Sequence, residues 1–172
     1  MVRLYLVRHA VAAESDGKQA FTDHLRGLTE KGRRRFRRSA RAFASLGEEI
    51  DLVCTSPVLR AVQTAEILAA SLGHEDVRVI DELQPDAGVP LLLERLCDLG
   101  AESIVLVGHK RLLCDLAVTL AGLPIDQALR LHLKRGAIAR IDVRKLGSHA
   151  SGEPRWWLAP ATDALQDGLP LT

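Results

Sequence analysis

Four short apolar runs, Val2 to Val7, Leu52 to Thr55, Val77 to Ile80 and Ile104 to Val107, are separated by segments whose apolar residues recur at helical spacing. That alternation is the pattern of βαβ units and restricts the chain to an α/β architecture with a mostly parallel sheet. Because the runs scarcely alternate polar with apolar, their strands are expected to be covered on both faces, giving three layers, α/β/α. A chain of 172 residues fits one domain, residues 1 to 172, with enough length to bury a sizeable core.

The helices are punctuated in the sequence. Thr29 opens a segment in which Phe36, Ala40, Phe43 and Gly47 share one face, while Arg33, Arg34, Arg35, Arg37, Arg38 and Arg41 take the others. Ser56-Pro57 is a cap followed by proline at a first helical position, and predicts a helix running to Gly73. Two more helices are expected over Leu91 to Leu99 and Leu112 to Leu120, with Gly100 and Gly122 as stops, and a further strand over Ala137 to Val143. Residues 146 to 172 predict an edge strand around Trp156 and Trp157 followed by a loose tail. Ala12 to Gly27, polar with scattered apolar residues, is expected to loop over the mouth of the sheet, a place where loops contact ligands.

Composition narrows the function. With 23 Lys+Arg against 22 Asp+Glu the formal charge is +1, too weak a field to imply a nucleic-acid or membrane partner. The arginine-rich helix leaves two readings, a solvated face or a surface for an acidic partner, and Glu30 with the balanced charge favours the first. Cys54, Cys97 and Cys114 have neither metal-ligand spacing nor an even count, and are expected to be reduced, with no metal. No apolar run approaches the roughly 20 residues of a membrane span, so a cytoplasmic location is expected.

The chemistry is carried by what ends the runs. Leu4-Tyr5-Leu6-Val7 leads into Arg8-His9, and Ile104-Val105-Leu106-Val107 into Gly108-His109. In open α/β sheets ligands sit beyond the carboxyl ends of the strands, so both histidines are expected at one crevice. Arg60 lies one turn into the helix that follows the second strand, where free N–H groups and a bidentate guanidinium suit a phosphate. Each residue alone also reads as structural: a charged pair ending a strand, an exposed helix arginine, a core histidine. Together they favour a phosphate site, with the glycine before His109 expected to allow close approach of a ligand.

The motifs LYLVRHA at the start, RGLTEKG from Arg26 to Gly32, TSPVLRAVQTA from Thr55 to Ala65 and VLVGH from Val105 to His109 closely resemble those of the histidine phosphatase superfamily, in particular its small SixA-type phosphohistidine phosphatases. The resemblance covers about the first two thirds of the chain and implies a phosphoglycerate mutase-like fold. It implies that His9 is a nucleophile carrying a transient phosphohistidine, that Arg8, Arg60 and His109 hold the phosphoryl oxygens, and that Arg26 is an additional pocket arginine. No cofactor is implied, and the implied partner is a phosphorylated substrate, a phosphohistidine-bearing protein foremost. The alternatives are a phosphomonoesterase for a sugar, nucleotide or cobalamin-precursor phosphate, and a non-enzymatic anion-binding module.

Four positions at three places depart from the family pattern. Ala10 stands where glycine is most frequent, Gly27 where the SixA type has proline, and Lys110-Arg111 where a small polar residue and proline are usual. The two extra cations either add to the phosphate field or face solvent, the second reading being favoured. Glu82 and Asp86, after the Val77 to Ile80 strand, are the only well-placed candidates for a general acid, and their segment is short. A weak acid suits a substrate with a good leaving group, as phosphohistidine has.

Overall fold

The computed structural model describes residues 1–14, 23–162 and 164–171. Its centre is a seven-stranded sheet in the order β3-β2-β4-β1-β5-β6-β7, formed by β1 (Val2–Arg8), β2 (Leu52–Thr55), β3 (Arg78–Val79), β4 (Ser103–Gly108), β5 (Ile138–Lys145), β6 (Ser151–Leu158) and β7 (Leu165–Asp167). From β3 to β1 every pairing is parallel, which is the half the sequence pattern describes. From β1 to β7 every pairing is antiparallel. The short links between β5, β6 and β7 permit only hairpins, since a parallel return needs a crossover of a dozen or more residues.

Side-chain alternation divides the core between the two faces. Leu4, Leu6, Ile104, Leu106, Ala139 and Ile141 point to one side, where they meet α3 (Val89–Leu99) and α4 (Lys110–Leu120). Tyr5, Val7, Val105, Val107 and Ile138 point to the other, against α1 (Glu30–Ala44) and α2 (Leu59–Leu72). Phe36 and Phe43 of α1 are fully buried, Phe43 edge-on to Tyr5 at 5.1 Å between ring centroids, while the arginines of the same helix face outward or sit half-buried.

Several boundaries differ from expectation for physical reasons. Thr29 caps α1 as predicted, its Oγ1 accepting from the Gly32 N–H at 2.9 Å. Ser56, however, does not cap α2, which starts at Leu59 behind Val58; its Oγ accepts from the Val58 N–H at 3.4 Å and lies 3.0 Å from His109 Nε2. Gly73 and Gly100 end α2 and α3 in the left-handed region, as their sequence positions suggest. β3 is two exposed residues at the sheet edge and is not covered on both faces. Trp156 and Trp157 do lie in a strand, β6, but β7 pairs outside it, so β6 is interior. The chain end, expected to be loose, is tied back where the His132 N–H donates to the Pro170 carbonyl at 2.8 Å. Among the described residues no helix is long and apolar enough to cross a membrane.

Candidate active site

Three adjacent parallel strands end together, and the two outer ones, β1 and β2, each extend the ladder on β4 by one residue into the site. The His9 N–H donates to the Gly108 carbonyl, and the Ser56 N–H to the Val107 carbonyl, both at 3.0 Å. His9, His109 and Ser56 are thereby delivered side by side, with the two imidazole centroids 5.3 Å apart. His109 is the N-cap residue of α4, and its Nε2 lies 3.0 Å from Ser56 Oγ. Both histidines are more than nine-tenths buried, at 8 % and 6 % exposure.

The protonation of His9 follows from its neighbours. Its Nδ1 lies 2.8 Å from the Ala10 carbonyl, which can only accept, so Nδ1 carries the hydrogen and Nε2 keeps a free lone pair. Burial, reinforced by His109, Arg60 and Arg8 against the opposing pull of that carbonyl, holds His9 down at about 3. His109 is held at about 4, by burial first and then by Arg60. Both rings are neutral at pH 7.

Arg60 is 5 % exposed, on the first turn of α2, and Thr64 ties this turn to the histidine loop: its hydroxyl donates to the Arg60 carbonyl at 2.6 Å and accepts from the Ala10 N–H at 3.0 Å. Arg8 donates from Nη1 to the Leu133 carbonyl at 2.9 Å. The Nε groups of Arg8 and Arg60 are buried without a hydrogen-bond partner among the described residues, an expensive arrangement that an anion between them relieves. Burial lowers both guanidiniums from their usual value, and the Arg135 charge lowers each further.

The sequence reading missed Asp23. Of the loop expected over the mouth, positions 15–22 lie outside the described residues, but its C-terminal part enters the site. Asp23 accepts from Arg26 Nε at 3.0 Å and pairs with Arg26 Nη2 at 2.7 Å and Arg60 Nη2 at 3.1 Å, while its backbone carbonyl accepts from Arg60 Nη1 at 2.8 Å. Arg26 also donates to the Ala13 carbonyl at 2.6 Å. Partial burial pushes the Asp23 carboxyl up, but Arg26 and Arg60 outweigh it and hold the group below its usual range. An internal carboxylate thus engages the guanidinium groups of both Arg26 and Arg60. An acid three residues before an arginine, in a loop at the mouth of the sheet, was the available signal.

Five predicted residues, His9, Arg8, Arg60, His109 and Arg26, therefore sit around one site, with Arg26 reaching it through Asp23. At Gly108 a Cβ would meet Leu113 and Leu83 at an ordinary 3.6 Å, so packing within the chain does not demand glycine there. The glycine that matters is Gly32, where a Cβ would stand 2.1 Å from the Val11 carbonyl. This close approach seats the first turn of α1 on the chain leaving His9, where the Thr29 N–H donates to the same carbonyl at 3.1 Å. Lys110 and Arg111 are exposed, and Arg111 pairs within its helix with Asp115 at 3.9 Å, in keeping with the solvent-facing alternative. Asp23 is the carboxylate whose charge acts on His109; neither Glu82 nor Asp86 is among the leading influences on either histidine.

Comparison with known proteins agrees with this geometry. Residues 4–88 match the model of the histidine phosphatase superfamily, branch 1. An uncharacterized protein of Picosynechococcus sp. is 34% identical over 167 residues, covering 91% of this chain and 99% of that protein. Among solved structures, the protein histidine phosphatase SixA complexed with tungstate is similar at TM-score 0.76 and 27% identity, over 92% of this chain and 97% of that one. A putative phosphohistidine phosphatase SixA from Agrobacterium tumefaciens is similar at TM-score 0.73 and 26% identity, over 92% and 98%. Mycobacterial glucosyl-3-phosphoglycerate phosphatase complexed with VO3 shares the fold at TM-score 0.71 and 20% identity, over 92% and 100%. With strand-end histidines and buried arginines around one crevice, this chain belongs to the histidine phosphatase superfamily, branch 1.

Proposed function

We propose that the chain is a phosphohistidine phosphatase of the SixA type, with His9 as nucleophile and Arg8, Arg60 and His109 as the groups that hold the transferring phosphoryl. The observation that carries this reading is the state of His9: neutral, with Nδ1–H fixed on the Ala10 carbonyl and Nε2 free, beside cations that attract a phosphate dianion. Nε2 attacks phosphorus in line, the P–N bond of the substrate histidine breaks, and its imidazole leaves with a proton taken from water. Water then attacks the His9 phosphoramidate, releasing inorganic phosphate and restoring the imidazole. The arginines stabilise charge on the phosphoryl oxygens as it redistributes, the contribution expected of fixed, preorganised donors. Arg26 assists through Asp23.

The preference for an N–P substrate over a phosphate ester rests on there being no well-placed acid among the described residues. A general acid near neutral pH needs a raised carboxyl pKa, whereas Asp23 is held ionised by two arginines. An imidazole leaving group tolerates this better than an alkoxide does. The similarity to SixA structures supports the same choice, and such a substrate places the work in the cytoplasm.

The test compares kcat/KM, in the presence of a metal chelator, for a phosphohistidine-bearing protein and for a panel of sugar, nucleotide and cobalamin-precursor phosphates. The proposal expects the phosphohistidine protein to be preferred and all turnover to vanish in His9→Ala. A faster reaction with one of the monoesters would reassign the substrate, and binding of phosphate with no turnover of any compound would leave an anion-binding module.

A further inference from the structure

Beside Arg8 lies a cavity of about 390 Å³ that neither His9, His109 nor Arg60 lines. Its floor is apolar, formed by Val11, Phe36 and Pro160, and its other walls include Arg35, Lys134 and Arg135. These three cations are exposed, and none is ion-paired among the described residues. Among the described residues no carboxylate lines the cavity. The turn that carries Lys134 and Arg135 is fastened to the catalytic strand itself. The Gly136 N–H donates to the Arg8 carbonyl at 2.9 Å, the Arg8 N–H to the Ala137 carbonyl at 3.2 Å, and the Ala137 N–H to the Lys134 carbonyl at 2.9 Å. The two cations are therefore held in a fixed relation to the phosphate cage, near enough that Arg135 acts on both Arg8 and Arg60.

Unpaired like charges around a built concavity raise the local concentration of anions and favour a bound one. We propose that this cavity is a subsite for a second anionic group, carboxylate or phosphate, on the molecule whose phosphoryl group enters the cage. The inference rests on the phosphatase reading and narrows its substrate class. A protein substrate supplies an acidic side chain close to its phosphohistidine, and a small molecule a second acidic group. Arg8 lines the cavity and belongs to the cage, so the two sites adjoin at this residue.

The experiment measures competitive inhibition by ω-carboxyalkylphosphonates of increasing chain length and by the matching alkylphosphonates, which reach the cage but carry no second anion. At one length the carboxylate is expected to tighten inhibition about fivefold, the scale of a screened ion pair. Lys134→Ala/Arg135→Ala should bring that ratio close to one, and Arg135→Gln alone should lower it, which covers failure of the double variant to fold. A parallel arm compares phosphohistidine peptides with Asp or Glu flanks and with Asn or Gln flanks. An acidic preference there that is lost in the double variant assigns the group to a protein, and a preference among the phosphonates alone assigns it to a small molecule. A ratio near one at every length with no peptide preference, or a ratio untouched by the substitutions, overturns the subsite. Failure of both phosphonate series to inhibit at all contradicts the cage reading instead.

Discussion

Removing the Asp23 carboxylate should make the protein bind phosphate more tightly. In the structure Arg60 Nη2 is engaged by Asp23 at 3.1 Å, and Arg26 by the same carboxylate at 2.7 Å, so an incoming phosphoryl group has to displace an internal anion. The Asp23 side chain is 34% exposed against 6% for Arg60, and solvent screening limits the pair to about 1 kcal/mol, the upper part of the range for exposed pairs. The backbone carbonyl of residue 23 still accepts from Arg60 Nη1, so the guanidinium stays placed in Asp23→Ala. About 1 kcal/mol corresponds to roughly a fivefold lower Ki for inorganic phosphate. The gain should shrink as salt is raised, because the competition is between charges. The assay is inhibition by phosphate in Asp23→Ala, Asp23→Asn and the unmodified protein at two ionic strengths. Weaker phosphate binding in Asp23→Ala would show that the carboxylate organises the arginines and does not compete with the ligand.

His9→Ala should lose turnover but keep phosphate binding, since the arginines remain, whereas Arg60→Ala should weaken binding and lower kcat/KM by about 10²-fold or more; steady-state kinetics with phosphate titration separates the two. Gly32→Ala sets a methyl 2.1 Å from the Val11 carbonyl and should cost about 1 to 3 kcal/mol or more, read as a fall of several degrees in Tm. Because His9 and His109 titrate at about 3 and about 4 in the folded protein and near 6.5 when unfolded, unfolding takes up protons below pH 6.5. Stability is thus complete above pH 6.5 and is lost as the pH falls, by about 2 to 3 kcal/mol per histidine between pH 6.5 and 4.5; denaturant midpoints over this range should show the loss, reduced in His109→Gln.

The parallel half of the fold and the gathering of His9, Arg8, Arg60 and His109 at one sheet edge were legible because each is announced by a long apolar run or a helix start. Burial on both faces demands apolar residues in the middle of β1 and β4, so the polar residues where these runs stop, Arg8-His9 and His109, mark the sheet edge. Asp23 was not legible, since its place depends on a loop without periodicity and on ion pairs across 37 positions to Arg60. The start of α4 was read two residues late, because exposed Lys110 and Arg111 carry no apolar signal. The same holds for β7, three exposed residues that exist only because β6 offers them an edge. Ser56 was misread as a cap because Ser-Pro has that local meaning, while its hydroxyl lies against His109, 53 positions away.

The central claim is that His9 carries the phosphoryl group. The direct measurement is a rapid denaturing quench, held at alkaline pH, of the protein turning over a radiolabelled phosphohistidine protein or p-nitrophenyl phosphate, followed by mapping of the labelled peptide. The account predicts acid-labile label on the N-terminal peptide containing His9, absent from His9→Ala. Label elsewhere in the chain, acid-stable label on serine or threonine, or undiminished turnover by His9→Ala would contradict it.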